Sequence, residues 1–405
     1  MKITTDNLAN GIRLVHQHTE STVAHFGVML CVGMRDEAKD EGGIAHFIEH
    51  MLFKGTKNKA LHHIFDTIEG AGGELNAYTT KENTAIFASL LAQDLPASVE
   101  LLSDIICNST FPKEEVDKEK TVIIEEINSY KDSPSELIFD EFDEMLFAGH
   151  PLGRNILGTK KSVESVTQAK IFDFIERNYT TNRIALSMVG STPFSEFKRL
   201  CEQHFGNIKQ SESKRLISTV DSKSFNKIKR KSTYQAHTVL GVPAYPINHT
   251  KRLGLVMLSN LLGGSSMNSR LNMSIREKHG LVYSIESSYS AFRDAGLFNI
   301  YFGCDKGNSK KVIELINDEF KILRDKPLSN DELKALKKQF IGQIAVSNED
   351  YADLMLMLAK SILVFDKVDS YEQIVEKVEQ ISAEQLQNIA CELLDMKKFS
   401  VLNYR

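Results

Sequence analysis

Along the chain, apolar positions switch between a period near two and helical spacing, and those switches predict the elements. Residues 3–8 and 12–15 are short apolar runs on either side of Asn10-Gly11, the setting of a tight hairpin. Residues 23–32 read as a strand, 43–53 are apolar at helical spacing, and 61–69 form a second helix ended by Gly70, Gly72 and Gly73. A strand pair follows at 74–79 and 83–91. Helices come next at 95–107, 113–130 and 135–147.

The pattern then restarts. Ala24-His25-Phe26-Gly27-Val28 resembles Ala236-His237-Thr238-Val239-Leu240. Residues 86–106 resemble 297–316, a strand, a polar turn and a helix. Val163-Glu164-Ser165-Val166 resembles Val378-Glu379-Gln380-Ile381, each ahead of a helix and a final strand. Two copies at an offset of about 211 to 215 indicate a duplicated domain, since a solenoid needs more repeats. The expected organisation is a first domain over 1–208, a polar, Lys- and Ser-rich linker over 209–234, and a homologous second domain over 235–405. Strands and helices cluster without strict alternation. The fold class is therefore α+β: two homologous α/β-sandwich domains, each a mixed, mostly antiparallel sheet covered by helices.

Composition narrows the function classes. The chain has 405 residues, enough for two cores of ordinary size. It is 42% hydrophobic and 25% charged, with net charge −5 and no long block of one sign, which argues against nucleic-acid or anionic-membrane partners. No stretch reaches the 18 or so apolar residues of a membrane span, and the N-terminus lacks a basic start followed by an apolar run. Cys31, Cys107, Cys201, Cys304 and Cys391 are odd in number and scattered, so they predict buried free thiols in a reducing, cytoplasmic setting.

The candidate chemistry lies in His46-Phe47-Ile48-Glu49-His50. On a helix, positions i, i+3 and i+4 share a face, so His46, Glu49 and His50 project together. Two imidazoles one turn apart can hold one zinc ion with a carboxylate beside it, the inverted form of the common zinc-peptidase helix. A catalytic zinc takes a third protein ligand and keeps a position for water. The segment 119–126 is the candidate source. Glu119 and Glu126 fall on one face, Glu125 points elsewhere, and Val122, Ile123 and Ile127 are expected to bury part of the helix. The second copy places Met257, Asn260 and Leu261 opposite His46, Glu49 and His50, so one half carries the chemistry.

The run from His46 to His50, continuing Met51-Leu52-Phe53-Lys54-Gly55-Thr56, resembles the pitrilysin/insulinase-type zinc metallopeptidases, the inverzincins, within their mitochondrial processing peptidase-like branch. The resemblance covers nearly the whole chain and implies the metallohydrolase fold of the processing-peptidase type. The family's third ligand is a glutamate about 76 residues past the second histidine, where Glu126 stands, and its supporting glutamate matches Glu119. It also implies one zinc ion per chain, with Glu49 as general base.

More of the site is implied in the same way. Gly73-Glu74-Leu75-Asn76-Ala77-Tyr78-Thr79 looks like the family's edge strand, so Asn76, Ala77 and Tyr78 would pair with an extended peptide. Arg276 and Tyr283 resemble the family's Arg/Tyr pair, which holds a substrate carbonyl. Gly263-Gly264-Ser265-Ser266 is similar to its glycine-containing loop. Glu136 and Asp140 match acidic places that receive a substrate arginine, with a solvated acidic face as the alternative. The family encloses short or unfolded peptides between four related domains. This chain supplies two, so the resemblance implies a homodimer whose active site is completed across subunits. The alternatives are a non-catalytic scaffold subunit of the same family and a zinc hydrolase acting on something other than peptides.

Overall fold

A computed structural model of the chain describes residues 3–214, 220, 222 and 224–405, and its packing divides into two compact units. The first comprises Met1–Asn128, Arg154–Leu216 and Ala345–Tyr371; the second comprises Ser129–Gly153, Ile217–Ile344 and Glu372–Arg405.

The first unit is built on β1 (Ile3–Asn7), β2 (Arg13–His18), β3 (Val23–Leu30), β4 (Glu74–Thr79), β5 (Thr84–Leu91) and β6 (Ile184–Gly190). Their order is β1-β2-β6-β3-β5-β4, antiparallel throughout except for the parallel pair β2 and β6. Alternation along β3 sends Phe26, Val28 and Leu30 to one face. There they meet the helices Ile44–Met51, Leu95–Asn108 and Phe194–Phe205. Met29 points to the other face, where Val15, Ala85 and Val189 join it beneath Leu354, Met355 and Leu358 of the helix Tyr351–Phe365. Gly27 makes room for that helix: a Cβ there would sit 2.6 Å from Met355 Sδ.

The second unit repeats the plan. β7 (Asn226–Lys229), β8 (Ala236–Ala244), β9 (Val282–Ala291), β10 (Gly296–Cys304) and β11 (Ser400–Tyr404) run in the order β7-β11-β8-β10-β9, with β7 and β11 parallel. This is the first sheet without β1, which bears out the duplication. Phe298, Ile300 and Phe302 of the sheet pack with Leu258 and Leu262 of the helix Arg252–Gly263 and with Ile316 and Phe320 of the helix Ser309–Asp325. The other face takes Ile138, Phe142 and Leu146 from the helix Pro134–Leu146. Gly241 is the counterpart of Gly27: a Cβ there would lie 2.6 Å from Phe142 Cζ.

Several expectations change. The compact units do not follow the halves 1–208 and 235–405, because each incorporates one helix from the other half of the chain. The linker 209–234 lies in part outside the described residues, and its end is not a linker: Asn226–Lys229 is strand β7. Its single apolar residue, Ile228, is exposed, which hid it from a search for apolar alternation. Asn7 pairs with Arg13, so the first hairpin turns over residues 8–12 and is wider than a two-residue turn. Asn10 anchors that loop by donating to the carbonyls of Phe205 and Ile208. All five cysteines are free; Cys31, Cys201 and Cys304 are buried as expected, but Cys107 and Cys391 are exposed. Among the described residues no helix is long and apolar enough to cross a membrane.

Candidate metal centre

The helix Ile44–Met51 begins at Gly43, whose φ of +88° favours glycine. A Cβ there would also strike the Leu157 carbonyl oxygen at 2.5 Å. Ile44, Phe47, Ile48 and Met51 enter the core, which leaves His46, Glu49 and His50 on the opposite stripe. The helix Lys113–Lys131 buries Val116, Glu119, Ile123 and Ile127, a spacing of three to four residues. Val122 lies a third of a turn off that face and is 50% exposed, contrary to expectation. Glu126 is half-buried and Glu125 exposed.

These helices bring the predicted residues together. His46, His50 and Glu126 place one donor atom each within 4.8 Å of the others. His46 Nε2 lies 3.8 Å from Glu126 Oε1 and His50 Nε2 lies 3.6 Å from Glu126 Oε2. Tetrahedral zinc with bonds of about 2.0–2.2 Å separates its ligand atoms by roughly 3.4 Å, so the donor set fits that ion. Glu119, 5% exposed, accepts from His50 Nδ1 at 2.8 Å, which turns Nε2 toward Glu126; its other oxygen meets Lys54 Nζ at 2.8 Å. Among the described residues, His46 Nδ1 and Glu49 Oε2 are buried without a hydrogen-bond partner. A carboxylate oxygen left bare beside a donor cluster is free to take a proton.

Burial, with His50 nearby, pushes the His46 pKa down to about 4, so its imidazole is neutral and able to donate a lone pair. Burial also acts to lower His50, but the hydrogen bond and charge of Glu119 outweigh it and the net shift is upward. Glu49 is raised by burial, against hydrogen bonding from Thr79 and the pull of His50. Burial acts to raise Glu119 too, yet His50 and Lys54 hold it low.

The residues predicted to bind substrate are distributed differently. Among the described residues β4 is an edge of its sheet, pairing with β5 alone. Along it Asn76 is exposed, with its Oδ1 accepting from the Ala77 N–H, while Ala77 and Tyr78 are half-buried. Thr79, at the strand's end, is the residue facing Glu49. Arg276, Tyr283, Glu136 and Asp140 belong to the second unit. Arg276 Nη1 approaches Met267 Sδ at 3.3 Å, and Tyr283, 52% exposed, donates its hydroxyl to Asp305 at 2.8 Å. On the helix Pro134–Leu146 Glu136 is exposed and Asp140 half-buried.

Lys54 and Thr79 stand within the motifs quoted from the sequence but had no individual role there, and Glu37 was not singled out. Glu37, in the loop before the metal helix, accepts from the N–H groups of Gly43 and Ala45. The only signal was an acidic residue shortly ahead of a helix start, a common pattern.

Comparison with known proteins gives consistent findings. The model of Insulinase (Peptidase family M16) matches residues 13–160, and that of the Peptidase M16 inactive domain matches 165–340. An uncharacterized zinc protease of Bacillus subtilis is 32% identical over 95% of this chain and 94% of its own length. One of Mycobacterium leprae is 31% identical over 96% and 89%. A crystal structure described as a peptidase M16 inactive domain from Pseudomonas fluorescens superposes with TM-score 0.92 at 19% identity, covering 100% of this chain and 98% of that one. A protease from Helicobacter pylori gives TM-score 0.91 at 20% identity, covering 100% and 99%. At these identities the two structures speak to the fold.

Proposed function

Because the chain belongs to the insulinase family of peptidases, family M16, we propose that it is a zinc-dependent endopeptidase that cleaves short or unfolded peptides. The observation that carries the reading is the convergence of His46, His50 and Glu126 beside Glu49, whose buried Oε2 has no partner among the described residues. A scaffold subunit has no use for that arrangement.

When bound, zinc supplies a Lewis acid that lowers the pKa of water toward 7. His46 and Glu126 contribute donor atoms, and His50 contributes one held in orientation by Glu119. Glu49 accepts a proton at Oε2 as general base and returns it to the amine nitrogen of the departing peptide. The free edge of β4 binds the substrate backbone as an added strand through Asn76, Ala77 and Tyr78. Arg276 and Tyr283 are assigned to the substrate carbonyl oxygen, where negative charge develops. For Tyr283 this means exchanging Asp305 for substrate. Glu136 and Asp140 are assigned to a basic substrate side chain.

Arg276 and Tyr283 act, in this reading, on the metal site of a second copy, so the active enzyme is a homodimer closing a chamber around the peptide. The test is peptide-library digestion by the zinc-loaded protein. Glu49→Gln is expected to retain zinc and to lower kcat by about 10²–10⁴-fold. Near-normal turnover by that variant would remove Glu49 from the role. Mixing Glu49→Gln with Tyr283→Phe chains should restore activity if the site is shared, and no recovery counts against sharing.

A further inference from the structure

Glu37 is a buried acid, 5% exposed, to which nothing above gives a task. It lies in the loop between β3 and the metal helix. Both carboxylate oxygens are engaged: Oε2 accepts from the Gly43 N–H and Oε1 from the Ala45 N–H, each at 3.0 Å. The helix itself supplies no such partner, because its N-cap residue is Gly43, which has no side chain. The next residue, His46, is a metal ligand, and Glu49 follows one turn on.

The loop carrying Glu37 is tied down in turn. Met34 N–H donates to the Thr80 carbonyl at 3.2 Å and Arg35 N–H to the Lys81 carbonyl at 2.9 Å. Arg35 pairs with Glu82, and Asp36 with Arg183 at 2.9 Å. Arg154 Nη1 donates to the Glu37 carbonyl oxygen at 2.6 Å. Thr80 to Glu82 form the turn between β4 and β5, directly after Thr79, the residue that faces Glu49. The start of the metal helix and the end of the edge strand are thus bolted to one loop, and Glu37 is the connection on the helix side.

We propose that Glu37 is a positioning residue: by holding the first turn of the helix it sets His46 against Glu126 and Glu49 against the end of β4. The inference rests on the zinc-peptidase reading and extends it. An eight-residue helix has little rigidity of its own, so its end must be fixed from outside. A shift of about 1 Å at a donor atom is enough to weaken a site that needs bonds of about 2 Å. Burial outweighs the lowering effect of the two N–H groups and of Arg154 and leaves the Glu37 carboxyl raised to about 8; the contacts with Gly43 and Ala45 rest on the geometry.

The experiment titrates the metal-free chain with Zn²⁺ and with Co²⁺, comparing wild type, Glu37→Gln and Glu37→Asp. Amide hydrogen exchange is followed at Gly43 and Ala45. Gln places an NH₂ against one of the N–H groups, and Asp is too short to reach both. Each variant is expected to bind Zn²⁺ about 10–100-fold more weakly, in the range of other supporting residues of metal sites. Its Co²⁺ absorption should change, exchange at both amides should quicken, and kcat should fall with KM little altered. Variants that fold and bind with wild-type affinity and spectrum would overturn the positioning role. Wild type alone supplies an arm that needs no variant: Zn²⁺ should slow exchange at Gly43 and Ala45, and unchanged exchange would count against the link. A wild-type chain that binds no Zn²⁺ overturns the zinc-peptidase reading along with this one.

Discussion

Three glutamates around the metal centre are chemically identical and differ by surroundings alone. Glu126 is half-buried and faces two imidazoles. Glu119 is buried and engaged on both oxygens by His50 and Lys54. Glu49 is half-buried, and its buried Oε2 has no hydrogen-bond partner among the described residues. The helical period put Glu119 and Glu126 on one face from the sequence, while their division into support and ligand came from the resemblance. Glu119→Gln should leave the fold intact and weaken Zn²⁺ binding by about 10–100-fold, measured by competition with a chromophoric chelator. The reason is that Gln can present its amide N–H to His50 and disturb the tautomer that Glu119 now sets. Wild-type affinity in that variant would leave His50 oriented by something else.

At the scale of elements, β4 and β7 show two degrees of legibility. β4 was readable because glycines precede it and alternation runs through it, and it does lie at a sheet edge. β7 was read as linker because Asn226-Lys227-Ile228-Lys229 has no apolar alternation. What holds β7 is polar: parallel pairing with β11, and Lys229 and Lys231 on Glu141 of the helix Pro134–Leu146. Burial acts to raise the Glu141 pKa, but the hydrogen bond from Lys229 and the charges of Lys229 and Lys231 bring it below its ordinary value. The sign follows from linkage. A depressed folded-state pKa gives stability that is present above the unfolded value of 4.5 and is lost as pH falls below it. Glu141→Gln should therefore cost about 0.5–1 kcal/mol at pH 7 and proportionally less near pH 3, read from urea unfolding at the two pH values. An equal cost at both would mean that the pair contributes packing and not charge.

Across the whole molecule, the duplication was visible and its packing was not. Offsets near 212 revealed two copies, and the matching strand orders bear that out. Yet the chain 1–208 is not a packing unit. One face of its sheet is closed by the helix Tyr351–Phe365, over Val15, Met29, Ala85 and Val189. A chain ending at 208 should expose that apolar face and self-associate, and adding the segment 345–371 should restore a discrete species in size-exclusion chromatography. A stable monomer of 1–208 alone would show the exchanged helix to be dispensable.

The common face of His46, Glu49 and His50 was determined by sequence alone because it is local, whereas the approach of Glu126 from a second helix was not. Three residues within one helical turn share a face whatever surrounds them. The same holds for the duplicated order of elements and for the glycine-led strand β4, since each depends on neighbours along the chain. Tertiary structure alone decided which sheet each amphipathic helix covers. An apolar stripe states that a face must be buried without naming its partner. Tertiary structure also decided what Glu37 does, because the loop that carries it is fixed only when the turn after β4 closes on that loop.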